Sequence, residues 1–115
     1  MIEVGEIELR EYIRTKNGYI IKYQDNVNTN IFSMDDDLYI ENPLFPDEEK
    51  IVNHSKDITD IIRKGDFING EYVSEITKNY ITVGKITYGI KDLKGIKTIL
   101  TKEQFEANCY KVKEE

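Results

Sequence analysis

With 115 residues, 22 acidic against 16 basic side chains and a net charge of −6, the chain is excluded from several classes of protein. Phosphate neutralisation needs clustered Lys and Arg, so the charge balance argues against direct nucleic-acid binding. The single Cys109 rules out an internal disulfide or a multi-cysteine metal site, and no apolar run approaches the ~20 residues of a membrane helix. The length predicts one domain, residues 1–115, with enough buried surface to fold without a metal or disulfide. Met1–Glu6 is acidic and has no apolar core, unlike a secretory leader, so the expected location is cytoplasmic. Ile and Tyr dominate the apolar residues and Ala107 is the only alanine, which predicts a mainly β protein.

In chain order, Ile7, Leu9 and Ile13 alternate with Glu6, Glu8, Arg10 and Tyr12, predicting a strand over 7–15 with one wet face. Asn17-Gly18 predicts a hairpin into a second strand over 18–24. Residues 25–50 read as an acidic excursion. Asp25–Asn30 has turn chemistry, Ile31–Met34 and Leu38–Ile40 form short strands around Asp35-Asp36-Asp37, and Pro43 and Pro46 interrupt regular structure. A strand resumes at Ile51-Val52. Ser55 or Asp57 then caps a short helical turn through Ile58, Ile61 and Ile62 that Gly65 ends. A second Asn-Gly hairpin at Asn69-Gly70 leads to strands over 72–77, 80–83, 85–91 and 96–100. Thr101 and Gln104 fit a capping box for a helix over about 102–109, with Phe105 and Cys109 toward the core. The fold expected is a small SH3-like β-barrel or strongly bent antiparallel sheet, with a mid-chain helical turn and a C-terminal helix. The two Asn-Gly hairpins form a faint internal echo, which reuse of the same turn chemistry explains.

Charge is unevenly distributed. Residues 1–60 hold 14 acidic and 6 basic side chains, and residues 61–115 hold 8 and 10. Between Asp35 and Glu49 there are seven carboxylates, on Asp35, Asp36, Asp37, Glu41, Asp47, Glu48 and Glu49, and no Lys or Arg. Tyr39, Leu44 and Phe45 are set among them. Acidic charge with apolar residues interspersed suits docking to a basic surface, with Tyr supplying rigid contact area.

Catalytic constellations are weak. His54, the only histidine, neighbours Ser55, but adjacent residues on extended chain point apart and form no nucleophile–base pair. Asp35-Asp36-Asp37 lacks the glycine and alternate spacing of a calcium loop, and no glycine-rich phosphate loop is present. The expectation is a protein that is not an enzyme and uses no metal or cofactor. Lys85, Lys91, Lys94, Lys97 and Lys102, interleaved with Tyr80 and Tyr88, are a weak nucleic-acid signal diluted by Asp92 and Glu103.

Residues 51–62 (IVNHSKDITDII), Lys64–Gly70 (KGDFING), Gly95–Glu106 (GIKTILTKEQFE) and Tyr12–Gly18 (YIRTKNG) together resemble small proteins of unknown function encoded by phages and prophages of low-GC Gram-positive bacteria, the Firmicutes. The resemblance spans about two-thirds of the chain, contains no catalytic motif and transfers no site residues; the 25–50 segment is longer than the group leads one to expect. It implies stoichiometric binding to a host protein with a basic surface, in its sharpest form an anti-defence, anti-CRISPR-like inhibitor of a nucleic-acid-binding protein. The alternatives are a small-molecule binder that sequesters a nucleotide signal and a structural or regulatory phage protein. Self-association is open in each.

Overall fold

A computed structural model describes residues 7–23 and 29–109. The expectations for Met1–Glu6, for the turn residues 25–28 and for residue 24 of the second strand lie outside these residues. The chain divides into two compact units, Met1–Ile62 and Arg63–Glu115. The boundary coincides with the reversal of charge, because residues 61 and 62 are both Ile.

The first unit contains β1 (Tyr12–Thr15), β2 (Ile20–Lys22), β3 (Asn30–Met34), β4 (Asp37–Glu41), β5 (Glu49–Ser55) and a 3-10 helix, Ile58–Ile61. All strand pairings are antiparallel, in the order β2-β1-β5-β4-β3. One face is apolar: Ile7, Ile13, Leu38, Ile40, Phe45 and Ile51 form the core, with Tyr19, Ile21, Tyr23 and Ile31 packed against it. Leu38 and Ile40 alternate with Tyr39 on β4, so this part of the acidic segment is built into the sheet. The second unit is a meander of β6 (Phe67–Ile68), β7 (Glu71–Ile76), β8 (Tyr80–Val83) and β9 (Ile86–Gly89), with β10 (Ile99–Leu100) paired to β6 and followed by α1 (Lys102–Asn108). Ile68, Val73, Ile81 and Val83 are its buried apolar residues. The mainly β expectation holds. The strands form two open five-stranded sheets, however, and no closed barrel is found among the described residues.

Several elements differ from expectation for local reasons. β1 begins at Tyr12, not residue 7, because Arg10 takes a positive φ of 75° and residues 8–11 form a turn. The alternation breaks at Glu11, a carboxylate at an apolar position. Its burial is compensated by a 2.8 Å hydrogen bond with His54 Nδ1 and by the backbone N–H of Glu8, which donates to its other oxygen. The predicted wet face of β1 is partly covered. Arg14 is 1% exposed and its Nη1 donates to the Ile61 carbonyl at 2.9 Å, tying the 3-10 helix to the sheet. Tyr12 is half-buried with the Lys22 ammonium 5.4 Å from its ring centroid. Asp57 caps the 3-10 helix by accepting from Thr59 N–H, but the helix ends at Ile62 and Gly65 takes its positive φ in the following turn.

The two Asn-Gly pairs make different turns. Asn69 and Gly70 both take positive φ, 51° and 84°, in a two-residue hairpin loop closed by Ile68 and Glu71. At the first, only Gly18 does so, at 84°, and a three-residue loop results in which Thr15 N–H donates to the Tyr19 carbonyl. Asn69 Oδ1 also accepts from the N–H groups of Lys97 and Thr98, holding the irregular approach to β10, which is shorter than the strand expected over 96–100.

Thr101 caps α1 as its sequence predicts, accepting from Gln104 N–H. The helix buries no residue, contrary to expectation. Phe105 is 44% exposed and Cys109 lies at the surface. Phe105 packs instead on the Phe67 ring at 5.1 Å, and these two with Gly70, Thr98, Ile99 and Leu100 line an apolar cleft of about 300 Å³. The approach to α1 is fixed by Asp66, fully buried, which accepts from Arg63 N–H at 2.7 Å and Lys102 N–H at 3.1 Å.

Two predictions follow from the buried acids. Burial raises the Glu11 carboxyl pKa, but the His54 hydrogen bond, the Glu8 N–H and the charges of His54 and Lys56 outweigh it and hold the group below its ordinary 4.5. A depressed folded pKa contributes stability above the unfolded value that is lost as pH falls through the folded one. Glu11→Gln should therefore cost about 2 kcal/mol at pH 7, and the gap from wild type in chemical denaturation should narrow as pH is lowered below 4.5. Asp66→Ala, which leaves two backbone donors without their acceptor, should cost about 2–4 kcal/mol in the same assay, whereas a surface control such as Glu106→Ala should stay within about 0.5 kcal/mol of wild type.

Candidate docking surface

The acidic segment folds as a hairpin followed by a turn, and this arrangement sorts its carboxylates. Asp35 and Asp36 make the two-residue connection between β3 and β4, with φ of 54° and 69°, flanked by the pair Met34 and Asp37. Both are exposed. This backbone favours Asn-Gly or Asp-Gly, and Asp tolerates it better than most residues but worse than glycine. Asp37 is half-buried, and Lys50 Nζ lies 3.3 Å from its carboxylate. Lys50 stands outside the Lys- and Arg-free run, but β4–β5 pairing places it opposite Tyr39, diagonal to Asp37.

At the other end of β4 the chain turns through Asn42-Pro43-Leu44-Phe45. Phe45 N–H donates to the Asn42 carbonyl at 2.9 Å, and Leu44 N–H to Asn42 Oδ1 at 2.8 Å. Asn at the first position and Pro at the second suit such a turn, since Pro presets φ and the Asn side chain mimics a backbone acceptor. Glu41, Asp47 and Glu48 are exposed here, and with Asn42, Pro43, Phe45 and Pro46 they line an open groove of about 610 Å³. The four steps from Asp37 to Glu41 separate the two acidic ends by about 13 Å.

The apolar residues separate as well. Leu44 is 78% exposed at the turn. Tyr39 is half-buried, stacked on Phe32 at 5.8 Å. Phe45 is only 9% exposed, a core residue whose ring sits 4.9 Å from Tyr19. Glu49 is 4% exposed on the core side of β5, accepting from Asn17 Nδ2 at 3.0 Å. Phe45 and Glu49 are therefore removed from the exposed set that the sequence suggests. Asp35, Asp36, Glu41, Leu44, Asp47 and Glu48 remain on it, with Asp37 and Tyr39 at its margin. The signal that separates them is positional: Glu49 faces Ile40 across the ladder and shares its buried side.

His54 pairs with Glu11 and Ser55 Oγ donates to Asp60 at 2.6 Å, so these neighbours face different partners. Among the described residues no three His, Cys, Asp or Glu side chains form a group able to hold a metal ion, and no helix is long and apolar enough to cross a membrane. Comparison with protein-family models, curated proteins and solved structures finds no match.

The hairpin tip carries a measurable cost. Replacing Asp35-Asp36 by Asn-Gly should relieve left-handed strain and carboxylate repulsion, raising stability by about 1 kcal/mol and the thermal midpoint by a few degrees. An unchanged or lowered midpoint would show that these carboxylates are not held at a conformational expense.

Proposed function

We propose that the protein is a non-enzymatic, phage-type binding module that docks its acidic first unit on a basic surface of a host protein in the cytoplasm. The observation that carries this reading is the exposure of Asp35, Asp36, Glu41, Asp47 and Glu48 on one unit, with Leu44 supplying apolar contact beside them. Residues 1–62 hold 14 acidic and 6 basic side chains, and a field of one sign steers a complementary partner. The resemblance to phage and prophage proteins supplies the host. Inhibition of a nucleic-acid-binding defence protein, in the manner of an anti-CRISPR, is the form in which carboxylates occupy the place of phosphates. The lining of the groove favours this over a sequestered nucleotide, because Glu41, Asp47 and Glu48 repel a phosphate.

The test is a variant carrying Asp35→Asn, Asp36→Asn, Glu41→Gln, Asp47→Asn and Glu48→Gln, with Asp37 retained because Lys50 pairs it and Glu49 because it is buried. Tagged wild-type protein should retain a stoichiometric basic protein from nuclease-treated lysate of a low-GC Gram-positive host. The variant should lose at least tenfold in affinity for that protein, and added salt should weaken the wild-type complex similarly. Equal affinity in the variant would overturn the assignment of this surface.

A further inference from the structure

β3 is an outer strand of the first sheet, and among the described residues no strand pairs with its far side. In a hairpin with a two-residue connection the flanking residues form a hydrogen-bonded pair, and such pairs alternate along the ladder. Met34 with Asp37, Phe32 with Tyr39 and Asn30 with Glu41 are therefore the bonded pairs, and Ile31 and Ser33 direct their backbone N–H and C=O groups to the open edge. The sheet's other outer strand, β2, is three residues long and contains Lys22, two features that discourage strand addition. In the second sheet β10 has two residues, and β9 has four and follows Lys85. β3 has five residues, with no Lys, Arg or Pro among them, and so lacks these protections.

We propose that β3 takes up an extended, basic segment of the partner as an added strand. The inference rests on the docking reading and specifies its mode. Charge selects the occupant. Exposed Asp35 and Asp36 stand just beyond one end of β3, and exposed Glu41, the cross-strand neighbour of Asn30, stands at the other. A strand laid along Ile31–Ser33 reaches carboxylates at both ends, while partly exposed Ile31 and Phe32 and the 41% exposed Met34 offer apolar contact. Main-chain bonds then hold the segment and its side chains set the preference, the usual division in recognition by strand addition. A second copy of β3 is the wrong occupant, because it brings a second acidic hairpin tip and another unit with 14 acidic and 6 basic side chains against the first.

The probe is a synthetic eight-residue peptide alternating Lys and Val, titrated into the full chain by fluorescence anisotropy and followed by amide NMR. Binding should perturb the Ile31 and Ser33 amides most. Two further peptides carry backbone N-methyl groups on alternate residues, one set on each edge of the strand, with charge unchanged. Strand addition uses one edge only, so one methylated peptide should lose at least tenfold in affinity and the other should bind like the parent. Loss in only one of the two supports the proposal. Equal affinity of both methylated peptides, equal loss in both, or no binding of the parent peptide overturns it. If both bind like the parent while the five-carboxylate variant binds none, electrostatic docking stands and strand addition alone fails. If the variant binds all three as wild type does, the docking surface itself has failed. A dimer seen in sedimentation that the peptide does not dissociate would assign the edge to a second copy and overturn the proposal.

Discussion

The first unit depends on β5. Residues 12–22 and 30–41 are two hairpins, each closed by its own turn, and they form one sheet because β5 pairs with β1 along one edge and β4 along the other. A two-stranded hairpin alone is marginal in water. The same strand brings Ile51 into the core, sets His54 opposite Ile13 within reach of Glu11 and leads into the 3-10 helix that covers Arg14. Its first residues also decide the electrostatics of the acidic segment: Lys50 neutralises Asp37, and Glu49 is drawn inside. The charge available to a partner is what remains once β5 has taken its share.

Most of the buried charge is compensated one group at a time, although Glu49 keeps one carboxylate oxygen without a hydrogen-bond partner among the described residues. Glu11 has an imidazole and a backbone N–H, Arg14 a carbonyl, and Asp66 two N–H groups from either side of the second unit's meander. Each joins segments distant in sequence, 43 residues for Glu11 and His54 and 36 for Asp66 and Lys102. Such contacts add specificity of arrangement more than net stability, since desolvation offsets much of their attraction.

Local signals are legible in the sequence and long-range ones are not. Asn69-Gly70, Thr101 and the strands around Asp35–Asp37 were legible because a turn or cap is chemistry between near neighbours. The start of β1 was not, because a carboxylate at residue 11 fits an apolar position only when His54 arrives from β5. Phe105 has the spacing of a core residue, yet a two-turn helix with an aromatic neighbour at Phe67 can satisfy it at the surface. The acidic run looked continuous because sequence has no depth; Leu38 and Ile40 carry it through the core, so it emerges at two places. The expected fold is a small barrel or a strongly bent sheet; among the described residues, the meander and the β5-centred sheet each keep outer strands with one side unpaired.

The topologies of the two units also imply different folding schedules. In the second, β6 to β9 pair consecutively, so these ladders each close a short loop, and only the two-rung β10–β6 pairing is long-range. In the first, β1 meets β5 only across some forty intervening residues, and loop closure must precede the contacts that reward it. Contact order therefore makes the N-terminal sheet the slower to assemble, although it leaves the ribosome first. Until residue 55 has emerged, the β1 edge that β5 will cover stays open, and for that interval the nascent chain carries a second pairing edge with almost the acidity of the finished unit. Its own negative charge then acts as an internal solubiliser, keeping neighbouring nascent copies apart while the last strand is made.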